Sequence, residues 1–505
     1  MRILDQAQIK SWDDFSIQSQ GIESHELMER AAIAFTKRFI ELFPMIPNQK
    51  GWVLAGPGNN GGDALAIARL LVLRGYSVSV LTCNFGRQQS PDNVKNEALL
   101  PKEKLDSFHK GDSYDLTEIA KPDWIVDGLL GTGFRGQIGS ELSDLISMVN
   151  SLSVPVISID LPSGMHTDEI CVGQCICATK VLTFQSPKLA FVLPENSKNV
   201  GDWEILDIDL DLNWLNDQKI KYEFSVDSEL LSLIKPRDKF AHKGSFGHAL
   251  IIGGSSNYSG SVALASKAAL RSGCGLVSVL APNGIKQIVQ GYCIESTWIS
   301  NKNEEHLSLL PQLQDSYNLG IGPGMGTNPE TAVFLNELLQ KAKQPIVIDA
   351  DALNLISLNR GFFKHIPAQS ILTPHPKEFD RLFGDHHDTK ERLIAMPGLC
   401  KKYQINLILK GHHTAICGPD GLIYFNGTGN SGMATGGSGD VLTGIIVSLL
   451  CQGYELLLAA RVGVWLHGKA GDVAARKRSE HSLIASDIIE CLGEVFLSIE
   501  QNAQL

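Results

Sequence analysis

The sequence predicts an α/β protein of two domains, each a doubly wound, mostly parallel sheet. Three observations predict it. Short β-rich runs alternate with helical runs in two separate stretches of the chain. The alternation fades between Asp207 and Asp217 (DIDLDLNWLND), which is polar and poorly periodic. Every Gly-rich or acidic motif follows directly on a strand-like run, the place where open α/β sheets bind ligands. A chain of 505 residues also exceeds what one core supports.

The first stretch opens with GWVLAG, followed by the helical DALAIARLLVLRG and then SVSVLTCN, WIVDGLLG and VPVISIDLPSG. The second starts near Ser225 with HALIIGG, GLVSVLAP, YNLGIGPG, PIVIDADALN, SILTPHP and INLILKG. It closes on GGSGD and the apolar helix VLTGIIVSLL. The boundary falls near residue 220, giving domains 1–217 and 222–505. Composition is that of an ordinary globular chain, with 43% hydrophobic and 20% charged residues. A net charge of -11 argues against nucleic acid or an anionic membrane as partner. No run reaches the roughly 18 apolar residues of a membrane span, and MRILDQAQIKSWDD has no apolar core to serve as a secretory signal. The ten cysteines are scattered apart from Cys171, Cys175 and Cys177, whose spacing fits no zinc site. Reduced thiols and a cytoplasmic location are expected.

The loop after the first strand, Gly56-Pro57-Gly58-Asn59-Asn60-Gly61-Gly62-Asp63, contains a literal GxGxxG. A dehydrogenase would place an acid on the ribose about 20 residues further on. Here the second strand ends in Thr82-Cys83-Asn84 instead. Asn60, Asp127 of DGLLGTGFRG and Ser163 of DLPSG are oxygen donors at strand ends, able to cage a hard cation or to cap turns. Asp160 is a candidate general acid/base or an N-cap. In the second half, ATGGSGDVLTG aims backbone N–H groups and the positive end of a helix at one spot. Asp440, at the start of that helix, can take a proton from a hydroxyl. These are the parts of phosphoryl transfer to an alcohol. Gly324 turns a strand end, His375 stands between two prolines, and Lys410 follows the strand INLIL, placed to meet a nucleotide phosphate.

GPGNNGGD, DGLLGTGFRG and DLPSG, in that order, resemble the NAD(P)H-hydrate epimerase domain over roughly residues 1–215; Ala64 stands where that family more often has glycine. YSGSVALAS, GIGPGMG, VIDADALN, LTPHPKE, LKGHHT and GGSGD resemble the ADP-dependent NAD(P)H-hydrate dehydratase domain of the ribokinase-like superfamily, from about Ser225 onward. Together they resemble bifunctional NAD(P)H-hydrate repair enzymes. The resemblance implies an N-terminal Rossmann-like three-layer sandwich and a C-terminal ribokinase-like α/β domain. It implies that Asn59, Asn60, Gly61, Gly62 and Asp63 line the hydrate site with Gly131, Thr132, Gly133, Phe134, Arg135, Gly136 and Gln137, that Asp160 contacts substrate, and that Asn60, Asp127 and Ser163 hold potassium. In the second domain it implies that Ser261, Gly324, His375 and Asp440 face the hydrated nucleotide. Lys410, Gly411, His412, His413, Thr414 and Gly439 would face ADP. The Ser261 position is often alanine in that family. Asp160 and Asp440 are the expected catalytic residues, ADP the co-substrate and magnesium a companion of the phosphoryl step. Asp349 and Asp351 are weak candidates for its ligands. A homo-oligomer is expected. Two rivals are a ribokinase-like kinase carrying a nucleotide sensor, and a non-enzymatic scaffold. The epimerase motifs of the first half disfavour the kinase, and retention of Asp127, Asp160 and the asparagine pair disfavours the scaffold.

Overall fold

A computed structural model describes residues 1–84, 86–108, 121–136 and 138–502. The chain divides into a unit Met1–Ile220 and a unit Lys221–Leu505.

In the first unit the strands are β1 (Lys50–Ala55), β2 (Ser77–Cys83), β3 (Leu105–Phe108), β4 (Trp124–Gly128), β5 (Val156–Ile159), β6 (Lys180–Phe184) and β7 (Asp202–Leu206). All pairings are parallel, in the order β3-β2-β1-β4-β5-β6-β7. Period-2 alternation sends Val53 and Ala55 to one face and Trp52 and Leu54 to the other. The first face packs on helices Ser24–Leu42 and Asn59–Leu73, through Phe35, Phe39, Leu65 and Ile67. The second packs on helix Ser140–Ser151, through Leu142, Leu145 and Ile146. This is a three-layer sandwich. Chain direction across the sheet reverses between β1 and β4, so a crevice opens beyond their carboxyl ends.

In the second unit the strands are β8 (Tyr222–Phe224), β9 (His248–Ile252), β10 (Leu276–Pro282), β11 (Thr297–Asn301), β12 (Tyr317–Ile321), β13 (Ile346–Ile348), β14 (Ile371–Leu372), β15 (Asn406–Leu409), β16 (Ala415–Cys417) and β17 (Ile423–Phe425). They lie in the order β8-β17-β16-β15-β14-β13-β12-β9-β10-β11. Pairing is parallel from β11 across to β15, and antiparallel for β15–β16 and β16–β17. The reversal here lies between β9 and β12. Helix Ser438–Cys451 is buried along nearly its whole length, as its apolar sequence on every side demands. It packs on helix Ser259–Arg271 so closely that a Cβ on Gly444 would stand 2.0 Å from the Ala265 carbonyl oxygen. No helix among the described residues is long and apolar enough to cross a membrane.

Candidate active sites

In the first unit, helix Asn59–Leu73 starts directly after Gly58, so the run Asn59–Asp63 forms its first turns and its free N–H groups point into the crevice. The glycines are required by contact: a Cβ on Gly56 would stand 1.8 Å from the Leu129 carbonyl oxygen, and one on Gly61 1.8 Å from that of Gly56. A Cβ on Gly128 would stand 2.6 Å from the Ala64 Cβ, so two small residues meet where the helix crosses β4.

Asp127, at the end of β4, is fully buried. Its carboxylate accepts from Ser158 Oγ at 2.8 Å, Ser163 N at 2.9 Å, Ser163 Oγ at 2.5 Å and Leu129 N at 3.3 Å. Burial raises its pKa against those hydrogen bonds. Ser163 Oγ also lies 2.8 Å from Leu130 N and 3.2 Å from Leu130 O. The Asn60 amide nitrogen donates to Leu130 O at 2.9 Å, which leaves its oxygen available. Asn60, Asp127, Ser163 and the Leu130 carbonyl therefore gather hard oxygen donors, a set suited to a hard cation.

A cavity of about 840 Å³ opens above these strand ends, lined by Asn59, Asn60, Asp63, Gly131 to Arg135 and Asp160. Gln137 lies outside the described residues, and Gly136 takes a positive φ of 91° beside it. Asp160 has φ 61°, a left-handed conformation uncommon for a residue with a side chain. The grip on its Oδ1 holds it there: Thr183 Oγ1 donates at 2.9 Å, Phe184 N at 3.0 Å and Lys188 Nζ at 2.5 Å. Lys188, only 1% exposed, also donates to Thr183 Oγ1 and to the carbonyls of Phe184 and Ser186. Two residues of this site had no motif to announce them, Lys188 and Asp13 of helix Gln6–Gln20. A Pro-Lys pair just past a strand end is the only signal the sequence offers for Lys188. Asp63 is pushed well above the carboxylate range, first by burial and then by Asp160, Asp13 and Asp92.

In the second unit, Gly437 enters helix Ser438–Cys451 in the left-handed region, at φ 90°. Asp440 sits in its first turn, 9% exposed. Burial, then the Asp349 carboxylate, push its pKa up to about 7 against a hydrogen bond with Ser261 and the charge of Lys410. Ser261 is thereby joined to Asp440. Gly324, at φ 59°, packs under both Tyr258 and Ser261, where a Cβ would come within 2.9 Å of the Ser261 Cβ.

Lys410 Nζ donates to Asp349 Oδ1 at 2.9 Å and lies 3.9 Å from Glu378 Oε2. Burial works to lower its pKa, but the charges of Asp349 and Glu378 win and raise it. A Cβ on Gly439 would stand 3.5 Å from this ammonium, so Lys410 meets the helix start. Asp349 Oδ1 accepts from Thr373 Oγ1 at 2.6 Å as well as from Lys410, and its Oδ2 accepts from Thr443 Oγ1 at 2.8 Å. Asp351 takes the Gly326 N–H at 2.9 Å. Both acids thus brace neighbouring elements, and no group of three or more His, Cys, Asp or Glu fit for a metal occurs among the described residues.

His375 caps helix Pro376–Phe383: its Nδ1 accepts from Lys377 N at 3.1 Å and Glu378 N at 3.3 Å. Burial, then Lys410, lower its pKa. The ring is fixed while its side chain stays 44% exposed. Gly411 and Thr414 close a turn on each other, leaving Gly411 and His412 exposed and His413 half-buried against the Asn426 carbonyl. His467, from helix Leu456–Arg478, was beyond sequence reasoning. It is held neutral by burial, with a pKa of about 4, and lies 3.2 Å from Ser438 Oγ.

Two family profiles match the chain: YjeF-related protein N-terminus over residues 24–190, and NAD(P)H-hydrate dehydratase over residues 249–493. A bifunctional NAD(P)H-hydrate repair enzyme of Moorella thermoacetica is 33% identical, covering 100% of this chain and 98% of its own. Its counterpart in Escherichia coli is 32% identical, over 94% of this chain and 90% of its own. The crystal structure of an ADP/ATP-dependent NAD(P)H-hydrate dehydratase from Bacillus subtilis is 27% identical, covering 55% of this chain and 98% of its own, with a TM-score of 0.47. With relatives at this identity matching from end to end, the chain belongs to the bifunctional NAD(P)H-hydrate repair enzymes, an epimerase unit followed by a dehydratase unit.

Proposed function

We propose that the first unit interconverts the R and S forms of hydrated NAD(P)H at carbon 6 of the ring, with Asp160 moving the proton. The ring nitrogen pushes the hydroxyl out as water, an iminium forms, and water returns to either face. The run Asn59–Asp63 and the loop Gly131–Gln137 hold the substrate. Asn60, Asp127 and Ser163 would hold potassium, which would supply positive charge opposite phosphate.

The second unit dehydrates the S form. Hydroxide leaves poorly, so the hydroxyl is first phosphorylated. Asp440 takes the carbon 6 hydroxyl proton as the terminal phosphoryl of ADP transfers to the oxygen. The N–H groups of the GGSG turn and the Lys410 ammonium stabilise charge growing on the phosphoryl oxygens. Phosphate then departs, carbon 5 gives up a proton, and NAD(P)H and AMP remain. Ser261, Gly324 and His375 position the hydrated nucleotide, while Lys410 to Thr414 and Gly439 face the adenine nucleotide. Magnesium would accompany the nucleotide phosphates, with Asp349 and Asp351 as weak candidates for its ligands. A homo-oligomer and a cytoplasmic location complete the reading.

The observation that carries this is Asp440: a carboxyl poised at about 7, in the first turn of a helix whose free N–H groups face the same spot. Asp440→Asn is expected to lower ADP-driven recovery of absorbance at 340 nm by about 10²–10⁴-fold, with ADP binding retained by calorimetry. Unchanged turnover rejects the assignment. Phosphate delivered instead to a stable alcohol identifies a kinase.

A further inference from the structure

Epimerisation requires oxygen to leave carbon 6 on one face of the ring and to arrive on the other. A carboxyl fixed in place reaches only one of those faces. Asp160 is so fixed, with Oδ1 bound by Thr183, Phe184 and Lys188.

Three other carboxyls line the same cavity, Asp63 from helix Asn59–Leu73 and Asp13 and Asp14 from helix Gln6–Gln20. Helix Gln6–Gln20 is anchored at both ends by an Asp5–Gln8 capping box and a left-handed Gly21. In its middle, Trp12 stacks on Trp214 and donates to the Asp211 carbonyl at 2.8 Å. Its inward stripe reads Ile9, Trp12, Asp13, Ser16, Ile17: one acid among apolar and small residues, while the adjacent Asp14 is exposed. No described residue donates a hydrogen bond to the Asp13 carboxyl. Stability alone gives no reason for an acid on that stripe.

We propose that Asp13 and Asp160 are the paired acid/base groups of the epimerase, one for each face of the hydrated ring; this rests on the epimerase reading above. One proton is shared between them. The protonated carboxyl gives its proton to the carbon 6 hydroxyl, the C–O bond breaks as the nitrogen lone pair forms C=N, and water departs. Water on the opposite face then attacks carbon 6, the C=N pair returns to nitrogen, and the excess proton passes to the other carboxylate. Lys188 holds Asp160 Oδ1 in place, and Asp13 stands without such a partner. Burial, then the charge of Asp160, push Asp13 up to about 7 against Lys188, so it can give and regain a proton near neutrality. Asp63, in the first turns of helix Asn59–Leu73, is pushed well above the carboxylate range by burial and then by Asp160 and Asp13.

The test is oxygen exchange in H₂¹⁸O with the full chain and no ADP, followed for each epimer of hydrated NADH. Wild type is expected to interconvert the epimers and to label both. Asp13→Asn should slow interconversion about 10²–10⁴-fold while one epimer still takes up ¹⁸O with retention. Asp160→Asn should do the same for the opposite epimer, and Asp13→Glu should regain part of the interconversion. If Asp13→Asn interconverts at the wild-type rate, or labels neither epimer, the pairing is wrong. A wild type that does not interconvert the epimers overturns the epimerase reading itself.

Discussion

Asp440, the proposed base, shows what a buried carboxyl costs the fold. Its pKa rises from 3.8 to about 7 in the folded chain, so between those values the native state binds the proton that the unfolded state has released. Stability in this window therefore falls as pH rises, and the penalty is complete above pH 7. At about 1.4 kcal/mol per tenfold change in proton affinity it approaches about 4 kcal/mol. Asp440→Asn, which mimics the neutral form, should unfold at a higher temperature than wild type at pH 8, with the gap closing toward pH 4. Catalysis runs the other way: dehydration should climb with pH through about 7 as the carboxylate form fills. A calorimetric pH series set beside a rate profile checks both signs.

At the scale of elements, the parts that hold chemistry are strand ends and helix starts clamped by close backbone contact. Gly444 is the sharpest case. Glycine to alanine inside a helix ordinarily gains up to about 1 kcal/mol in propensity. Here the added methyl would press on the Ala265 carbonyl, and neither helix has room to retreat. Gly444→Ala should instead lose about 1–3 kcal/mol by urea denaturation, and lose dehydratase activity as Asp440 shifts. This layer also decides what a sequence reveals. The loops after β1, β4, β5, β12 and β15 were legible because each packs its glycines and acids into a few consecutive residues. Asp127 with Ser163, and Asp440 with its helix, could be read for the same reason. Lys188, Asp13 and His467 could not, because each stands outside any motif; Lys188 binds Thr183 and Ser186 nearby, yet nothing around it marks the approach to Asp160. The bonds that Asp349 takes from Thr373, Lys410 and Thr443 were likewise out of reach of the sequence, which offered only an acid at a strand end. The hairpin β16–β17 went unread, since three-residue strands leave too short a pattern.

Over the whole molecule, two reactions share one chain, and the two proposed catalytic acids, Asp160 and Asp440, belong to separate units. Asp160→Asn should leave dehydration of the S form intact, so that absorbance at 340 nm stops at the S fraction of a mixed substrate. Asp440→Asn should interconvert the epimers and recover nothing. Mixed together, the two variant proteins should restore full recovery if the epimer travels through solution. A mixture that stalls at the S fraction would show that the intermediate passes only within one chain.

The depth of helix Ser438–Cys451 has one more consequence. A loop catalyst can be lost to local breathing well before a protein melts. Here the turn that presents Asp440 is the free end of a rod set into the core, so it opens only when the surrounding core opens. The dehydratase should therefore hold its catalytic geometry on warming until the cooperative transition itself, with no inactive but still folded interval below it.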